Sequence, residues 1–504
     1  MLAQDGLQNN RLAQPDKTAL VCGDRRLSYA EVDAMADRLA NALIENGVKR
    51  GDRVAIFLPN SIEAVIGIFA TLKAGGAFVV IHHTVKFEKL SYILGDCQPA
   101  ALITSAQGVG SKLRTAQESL KLVVLTGSEL CRDGGELGFH WIQKSFPAIR
   151  PSVATIDLDL ACLVYTSGSS GEPKAVMCDH SNVTFVTSSV IGYLENTAAD
   201  TVLSVLPLSS GYGLYQALMT LTFGGTLVLE SSFAFPVATL EKIGKERVTG
   251  FPGVPTVFAT MLQMNLSRFD LSSLRYITNA AAALPVSHIQ QLATILPAAK
   301  IFSMYGLTET KRALYLPPDQ VGVRPGSVGI AIPGTEVWIE GPDGERLGPN
   351  AIGELMVRGR HVMRGYWRSP EATSKRFRPG PNPGERVCCS GDLFRMDEEG
   401  YMYFVGRKDD MVNTRGEKVA PKEIENVLHS LPGVIEAAVV GVPDPIMGQA
   451  VKAFVVADAA LLKEADVFAY CRSHLQDFMA PKYIEFRSEL PKTSSGKVLK
   501  RALL

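Results

Sequence analysis

Hydrophobic and polar positions follow a regular pattern over the first part of the chain. Apolar runs of strand length alternate with amphipathic stretches of helical period, beginning with a strand at 53–58, a helix at 61–73 and a strand at 77–81. This order is typical of a parallel sheet that is covered by helices. The pattern therefore predicts an α/β fold.

Polar loops follow three of the predicted strands. They begin near Thr166, Asn279 and Tyr305. Because ligands of α/β sheets bind beyond the carboxyl ends of the strands, we expect binding side chains in these loops.

The pattern changes at Gly326 to alternation with period two, as in residues 336–339, 354–357 and 402–405. Glycine and proline interrupt these stretches, and helical periods nearly vanish. An antiparallel β subdomain is predicted for this region.

A compact α+β segment follows residues 408–410, where we place the domain boundary. We predict a large N-terminal domain, residues 1–408, made of helix-covered mixed sheets plus the β subdomain. Residues 409–504 are expected to form a small, mobile α+β domain. A chain of 504 residues is long enough for two cores.

Composition excludes several classes of function. Lys+Arg and Asp+Glu both number 51, so no basic field favours a nucleic-acid partner. We find no apolar run of membrane-spanning length and no signal-peptide pattern in the sequence. The eight cysteines form no Cys-x-x-Cys pair, which argues against zinc and favours reduced thiols. A cytoplasmic enzyme is therefore expected.

The segment 165–174 is the strongest chemical signal. It joins two apolar stretches and contains four serine and threonine hydroxyls, two glycines, a proline and Lys174. Such a loop can direct backbone N–H groups, hydroxyls and a point charge at phosphate. A flexible linker is the alternative, but a strand leads into the loop and Pro173 closes it. A Walker loop is excluded because Glu172 and Pro173 separate Gly171 from the lysine.

A second loop of this composition ends the chain. Residues 491–497 carry proline, serine and glycine before Lys497. A frayed terminus is the alternative interpretation from position alone.

Six motifs together resemble the adenylate-forming superfamily of acyl-CoA synthetases, adenylation domains and luciferases. Each motif is weakly specific, but the six occur in the order and spacing of that superfamily over nearly the whole chain. They occupy residues 72–77, 165–174, 305–309, 390–392, 406–410 and 491–497.

The resemblance implies an AMP-forming reaction. A carboxylate attacks the α-phosphate of ATP, pyrophosphate leaves, and a thiol takes the acyl group after the small domain has rotated. ATP, Mg²⁺ and coenzyme A are the implied cofactors and co-substrate. Because carboxylate and triphosphate are both anionic, this chemistry needs cations and N–H donors placed in advance.

By motif position, the resemblance assigns the nucleotide site. Tyr305 is expected to stack on adenine opposite the backbone of Ala281 and Ala282, and Gly306 is expected to bind the nucleotide. The ribose is assigned to Asp392 and Arg407, and the β- and γ-phosphates to Thr166, Ser167, Gly168, Ser169, Ser170, Gly171 and Lys174.

Three residues are assigned to catalysis. Thr308 is expected at the α-phosphate and Glu309 on Mg²⁺, as a hard oxygen ligand. Lys497 is expected to bridge the attacking carboxylate and the α-phosphate while the small domain is closed.

The small domain carries two further assignments. Asp409 matches the hinge position, which must absorb a large change of φ and ψ. Gly416 and Lys418 are expected at the thiol tunnel after rotation.

The acyl pocket is expected to include Tyr212, Gly213, Phe251, Asn279 and Met304. No aspartate for an α-ammonium lies between 206 and 216, so α-amino acids are disfavoured.

The sequence departs from the superfamily pattern at two places. Ser209 and Ser210 replace an aromatic–histidine pair that many acyl-CoA synthetases carry. The adenine-facing glycines are alanines, which we expect to be tolerated if φ is negative there. Lys311 and Arg312 directly follow the metal loop, and we expect them to be a solvated pair. Contact with an anionic acceptor or substrate is the alternative.

An AMP-forming acyl-CoA ligase acting on a non-amino acid is the favoured function. No carrier domain follows Lys497, and no insert characteristic of acyl-AMP ligases lies within 353–390. A stand-alone adenylation enzyme that loads a discrete carrier protein is the alternative. A catalytically inactive nucleotide-binding homologue is the third hypothesis. The identity of the acid stays open, and so does the oligomeric state, with a homodimer as one alternative.

Overall fold

The computed structural model describes residues 1–106, 118–128, 130–167, 173–414, 417–457, 462–493 and 496–504. It is a mixed α/β structure with a large N-terminal domain and a small C-terminal domain, as the pattern predicts. The helices of the described residues are α1 Asp5–Ala13, α2 Tyr29–Glu45, α3 Ile62–Lys73, α4 Phe87–Cys97, α5 Phe139–Ser145, α6 His180–Leu194, α7 Gly211–Phe223, α8 Pro236–Lys245, α9 Pro255–Leu262, α10 Val286–Ile295, α11 Pro370–Arg376, α12 Pro421–Ser430 and α13 Glu464–His474.

The strands fall into three sheets. Their bounds are β1 Thr18–Cys22, β2 Arg25–Ser28, β3 Arg53–Phe57, β4 Ala77–Ile81, β5 Ala101–Ser105, β6 Leu122–Thr126, β7 Arg132–Asp133, β8 Glu136–Gly138, β9 Leu160–Ser167, β10 Pro173–Asp179, β11 Thr201–Ser204, β12 Thr226–Leu229, β13 Gly250–Gly253, β14 Tyr276–Asn279, β15 Lys300–Tyr305, β16 Leu314–Tyr315, β17 Ser327–Ala331, β18 Thr335–Glu340, β19 Ile352–Gly359, β20 Phe377–Pro379, β21 Arg386–Met396, β22 Met402–Arg407, β23 Val412–Thr414, β24 Glu417–Val419, β25 Val434–Asp444, β26 Gly448–Ala457 and β27 Tyr483–Phe486.

The first sheet has the order β10-β9-β4-β3-β5-β6-β8-β7. Its interior strands are parallel, as the strand–helix–strand pattern predicts. Strands β9 and β10 form an antiparallel hairpin at one edge, so the two apolar stretches around the predicted phosphate loop pair with each other.

The second sheet changes from parallel to antiparallel along its length. Its order is β18-β19-β21-β22-β17-β16-β15-β14-β13-β11-β12-β1-β2, and β20 pairs with β21. The strands from β1 through β12, β11, β13 and β14 to β15 are all parallel to one another. The next strand, β16, is antiparallel to β15. The predicted β subdomain is therefore continuous with the α/β sheet.

The third sheet belongs to the C-terminal domain. Its order is β24-β23-β26-β25, with β27 parallel to β26. Helices α12 and α13 contribute Ile424, Leu428, Val467 and Cys471 to the buried core of this domain. Strand β22 ends at Arg407 and β23 begins at Val412, so the boundary between residues 408 and 409 lies in the connecting turn and stays a prediction.

Local sequence explains several helix ends. Ser28 caps α2 in a capping box with Glu31, because its hydroxyl accepts from the Glu31 N–H while the Glu31 carboxylate accepts from the Ser28 N–H. Ser61 caps α3 with its hydroxyl alone, which accepts from the Ala64 N–H. None of the helices in the described ranges has the length and apolar character that crossing a bilayer requires.

A buried charge cluster ties α2 to α3. The Lys73 ammonium lies 2.5 Å from the Asp33 carboxylate and 2.6 Å from that of Asp37, and all three side chains are buried. Burial raises the pKa of Asp37, and the hydrogen bond from Lys73 opposes this rise. The ammonium thus compensates for two carboxylates that the helix packing removes from water.

Replacing Lys73 with Met should strongly destabilise the N-terminal domain. Removing one member of a buried ion pair costs about 3–5 kcal/mol because the partner's charge is left uncompensated. Denaturant unfolding should show this loss, and the exposed Lys49 offers a matched control, K49M, with an effect within about 0.5 kcal/mol. Equal stability of the two variants would contradict the role of the cluster.

Candidate active site

The β9–β10 hairpin presents the first group of site residues. Thr166 lies opposite Lys174, and Ser167 lies opposite Pro173. The Thr166 hydroxyl donates to the Lys174 carbonyl oxygen at 3.4 Å. Gly168, Ser169, Ser170 and Gly171 lie outside the described residues, and their assignment to the phosphates stays a prediction.

Residues 363–367 pair with β10 and connect the hairpin to the metal loop. The Trp367 N–H donates to Ala175 O at 2.8 Å, and the Met177 N–H donates to Gly365 O at 2.9 Å. At the other end of the segment, the Met363 N–H donates to Glu309 O at 3.0 Å. The pairing carries the Tyr366 side chain to the Glu309 carboxylate.

Glu309 is buried and is held by two residues that the sequence analysis did not identify. Its Oε1 accepts a short hydrogen bond from the Tyr366 hydroxyl and lies 3.3 Å from Arg376 Nε. Arg376 also donates to Ser390 O at 2.6 Å. Burial raises the pKa of Tyr366, and the negative charge of Glu309 raises it further.

No motif or periodic pattern indicates Tyr366 and Arg376 as site residues. Both lie in the glycine- and proline-interrupted region, where no periodic pattern indicates which side chains face the site. The Lys174 ammonium lies 6.0 Å from the centre of the Tyr366 ring, so the phosphate hairpin and the Glu309 loop meet at this ring.

A single buried carboxylate fits a magnesium ion that arrives with a nucleotide. Mg²⁺ commonly takes one or two protein carboxylates and completes its shell with phosphate oxygens and water. The contacts of Glu309 with Tyr366 and Arg376 are both made by Oε1. The other carboxylate oxygen, Oε2, could therefore coordinate the metal ion.

The predicted ribose and adenine residues are joined directly. Asp392 is buried, and its Oδ2 accepts from the Tyr305 hydroxyl at 2.6 Å. Arg407 Nε donates to the other carboxylate oxygen at 3.2 Å. The Tyr305 ring also contacts Phe394 edge-on, with the centres 4.8 Å apart. The orientation of the Asp392 carboxylate is therefore fixed from two sides.

Thr308 and Gly306 lie in the turn between β15 and β16. A Cβ at Gly306 would lie 2.1 Å from Lys311 O, so only glycine allows the hairpin to close as it does. The turn ends with the Ala313 N–H donating to Tyr305 O at 3.0 Å.

The condition under which the adenine-facing alanines are expected to be tolerated, a negative φ, is not met at one position. Ala281 has φ of +73°, in the left-handed region, although Ala282 does not. The Asn279 side chain holds this turn by donating to Ala282 O at 2.9 Å. The backbone keeps a conformation that favours glycine and places an alanine in it.

Lys497 reaches the N-terminal domain across the domain interface. The adjacent Gly496 packs so closely that a Cβ there would lie 3.0 Å from Val254. Lys497 is exposed, yet desolvation lowers its pKa, Arg407 lowers it further, and Asp392 opposes the change. The lysine therefore lies within electrostatic range of the predicted ribose residues.

The predicted acyl-pocket residues cluster between α6, α7 and the second sheet. The Tyr212 hydroxyl lies 2.9 Å from Thr278 O, one residue before Asn279. Gly213 packs against the turn before α7, where a Cβ would lie 2.3 Å from Pro207 O. Met304 Sδ accepts from the Tyr193 hydroxyl at 3.0 Å.

Phe251, unlike the other predicted pocket residues, packs into the hydrophobic core. Its ring is fully buried and packs edge-on against Phe258, with the centres 6.3 Å apart. It therefore belongs to the core beneath this region.

The prediction that Lys311 and Arg312 are solvated is wrong. The Lys311 ammonium is buried, and Arg312 is 7% exposed, with its guanidinium 5.2 Å from the centre of the Tyr212 ring. The hairpin between β15 and β16 turns both side chains inward, which their sequence position alone does not reveal.

The remaining assignments concern the small domain. Asp409 is exposed in the turn after β22, and Lys418 is exposed on β24. Gly416 lies outside the described residues. The hinge and tunnel roles stay predictions.

These elements define a two-domain, nucleotide-dependent enzyme in which Lys497 of the small domain lies near Asp392 and Arg407 of the large domain. The chain belongs to the AMP-binding enzyme family, which matches residues 7–367, and the C-terminal domain of that family matches residues 423–497. It is an adenylate-forming acid–thiol ligase of the acyl-CoA synthetase type.

Relatives match nearly the full chain. A feruloyl-CoA synthase from Amycolatopsis sp is 35% identical over 96% of this chain and 95% of its own length. A long-chain-fatty-acid–CoA ligase from Bacillus subtilis is 32% identical over 97% of this chain and 92% of its own length. The solved structure of an anthranilate CoA ligase in complex with anthranoyl-AMP has a TM-score of 0.92 at 27% identity, covering 100% of this chain and 96% of that one.

Replacing Ala281 with Gly should stabilise the protein. A left-handed backbone costs an L-residue about 1–2 kcal/mol, and the extra unfolded-state entropy of glycine cancels about 0.5–1 kcal/mol of the relief. We expect the free energy of unfolding to rise by about 0.5–1 kcal/mol, measured with denaturant. Ala282→Gly is the control and should lower the free energy of unfolding. A loss of stability in both variants would contradict the strain at position 281.

Proposed function

We propose that this acyl-CoA ligase activates a carboxylic acid without an α-amino group, with Lys497 as the catalytic residue of the adenylation step. The observation that carries the proposal is the position of Lys497 in the same charged cluster as Asp392 and Arg407, although they belong to different domains. This position of Lys497 supports a role in adenylation, and ATP, Mg²⁺ and coenzyme A are the co-substrates and cofactor.

The lysines near the proposed nucleotide site would reduce the electrostatic repulsion between the two reactants of the first half-reaction. An anionic acid must approach an anionic triphosphate, and donors fixed in advance stabilise the charge that develops in the transition state. In this proposal Lys174 binds the β- and γ-phosphates, and Lys497 contacts both the acid carboxylate and the α-phosphate. Thr308 positions the α-phosphate from the β15–β16 turn.

Asp392 and Tyr305 place the nucleoside. The carboxylate accepts the ribose hydroxyls, and its bonds to Tyr305 and Arg407 keep it in one orientation. Tyr305 and Gly306 form one side of the adenine site, and the turn at Ala281 and Ala282 forms the other. Magnesium bound at Glu309 would neutralise phosphate charge, and Arg376 and Tyr366 orient that carboxylate.

The second half-reaction requires Lys497 to leave the cleft. In this proposal residues 409–504 rotate about Asp409 and the β23–β24 hairpin enters, bringing Gly416 and Lys418 to the path of the thiol. A rotation of this kind concentrates the backbone change in a few residues. The exposed turn between β22 and β23 supports this position for the hinge.

Coenzyme A is the proposed acceptor, because the relatives described above are CoA ligases. We also propose a cytoplasmic location, which the eight unpaired cysteine thiols support.

Replacing Lys497 with Ala should abolish carboxylate-dependent pyrophosphate release. Transfer of the acyl group from supplied acyl-adenylate to CoA should persist, because Lys497 acts only in the closed cleft. Lys492, which pairs with Glu436 at 2.6 Å in the same C-terminal segment, provides the control variant K492A. Equal loss of both half-reactions in K497A would contradict the proposed role.

The acceptor can be tested directly. Thiol-dependent AMP release should be supported by free CoA at least as well as by phosphopantetheinyl carrier proteins, with an acid that gives pyrophosphate. Transfer to a carrier protein alone would identify a stand-alone adenylation enzyme instead.

A further inference from the structure

Two buried cations lack an anionic partner in the parts of the chain that the structure describes. The Lys311 Nζ and the Arg312 Nε are buried without a hydrogen-bond acceptor, and neither side chain forms an ion pair with a carboxylate there. Burying a charge without a partner is strongly unfavourable. Such a pair therefore indicates an anion that arrives with a ligand.

The residues around Arg312 indicate which part of the site the missing anion would occupy. Its guanidinium stacks over Tyr212, whose hydroxyl is held by Thr278 at the end of β14. Burial raises the pKa of Tyr193 and that of Tyr212, and the charge of Arg312 opposes both rises. Since Tyr193 contacts Met304, the guanidinium lies among the residues of the candidate acyl pocket.

Lys311 lies at an unfavourable place for a cation. A Cβ at Gly211, the first residue of α7, would lie 3.3 Å from the Lys311 ammonium. The N-terminal end of a helix carries a partial positive charge and favours anions. A negative group at this point would satisfy the ammonium and the helix end together.

The carboxylate nearest in sequence does not neutralise the pair. Glu309 contacts Tyr366 and Arg376, so its charge already has a guanidinium partner. In the described part of the chain, Glu309 forms its ion pair with Arg376 and none with Lys311 or Arg312.

Two parts of the reactants could supply the missing anion, namely the phosphates of the nucleotide and the acid itself. The proposed nucleotide residues are Lys174, Arg407 and Lys497, whereas Arg312 contacts Tyr212 of the acyl pocket. We propose that the acid carries a second anionic group, a carboxylate or a similar oxyanion, which binds Lys311 and Arg312. This inference rests on the proposed function, because it assumes that the pocket binds the acid.

The test compares diacids with monoacids of the same chain length or the same aromatic ring. Pyrophosphate release should give a higher kcat/KM for the diacid in the wild-type enzyme. Arg312→Met and Lys311→Met should each lower the ratio of diacid to monoacid by about 10- to 100-fold, since each removes a charge-assisted hydrogen bond. Arg312→Lys should retain part of the preference.

Exposed residues of the same types provide the controls, Lys245→Met and Arg268→Met, which should leave the ratio unchanged. If monoacids react as well as diacids in the wild type, the second anionic group is refuted while the ligase activity stands. A rise in the KM for ATP that is equal for every acid would assign the cations to the nucleotide and overturn the inference. Absence of pyrophosphate with all acids would instead refute the proposed function. If a Met variant fails to fold, the wild-type preference and the Arg312→Lys variant still decide.

Discussion

The turn between β15 and β16 is the constraint on which the site depends. At this point the parallel part of the second sheet ends and its antiparallel part begins, so one chain reversal joins the α/β architecture to the β subdomain. Tyr305 stands at the end of the parallel strand, and Glu309 lies within the reversal. Because the segment 363–367 bonds to both β10 and Glu309, the reversal also fixes the first sheet relative to the second.

Charge in the cleft is balanced by pairing each anionic side chain with a donor. Asp392 is held by Tyr305 and Arg407, and Glu309 is held by Tyr366 and Arg376. Carboxylates fixed in this way need no reorganisation when substrate binds, which is the condition for electrostatic catalysis. In the proposed function, the cations outside these pairs, Lys174 and Lys497, bind the anionic reactants.

Much of the fold could be predicted because local rules and tertiary structure agree. The capping box at Ser28 and the alternation of apolar runs specify the elements without reference to distant residues. The motif residues Tyr305, Asp392 and Arg407 likewise come together as expected. Agreement of this kind between local preference and the global fold is characteristic of natural sequences.

The features that could not be predicted depend on contacts between distant segments. Tyr366 reaches Glu309 only because its segment pairs with β10. The left-handed conformation of Ala281 contradicts the local preference of alanine and is imposed by the surrounding turn. From its sequence position Arg312 is expected at the surface, but the β15–β16 hairpin packs its guanidinium against the Tyr212 ring.

Gly306 links two chemically separate properties of the enzyme. Its missing side chain lets the chain reverse within van der Waals contact of the Lys311 carbonyl. In the proposed function, this reversal directs Glu309 toward the metal-bound nucleotide and Arg312 toward the acid. Metal binding and acid recognition then depend on the same turn of the main chain. In the proposed function, the acid that is accepted could therefore change through the side chains at 311 and 312 while the glycine-dependent path of the main chain stays the same.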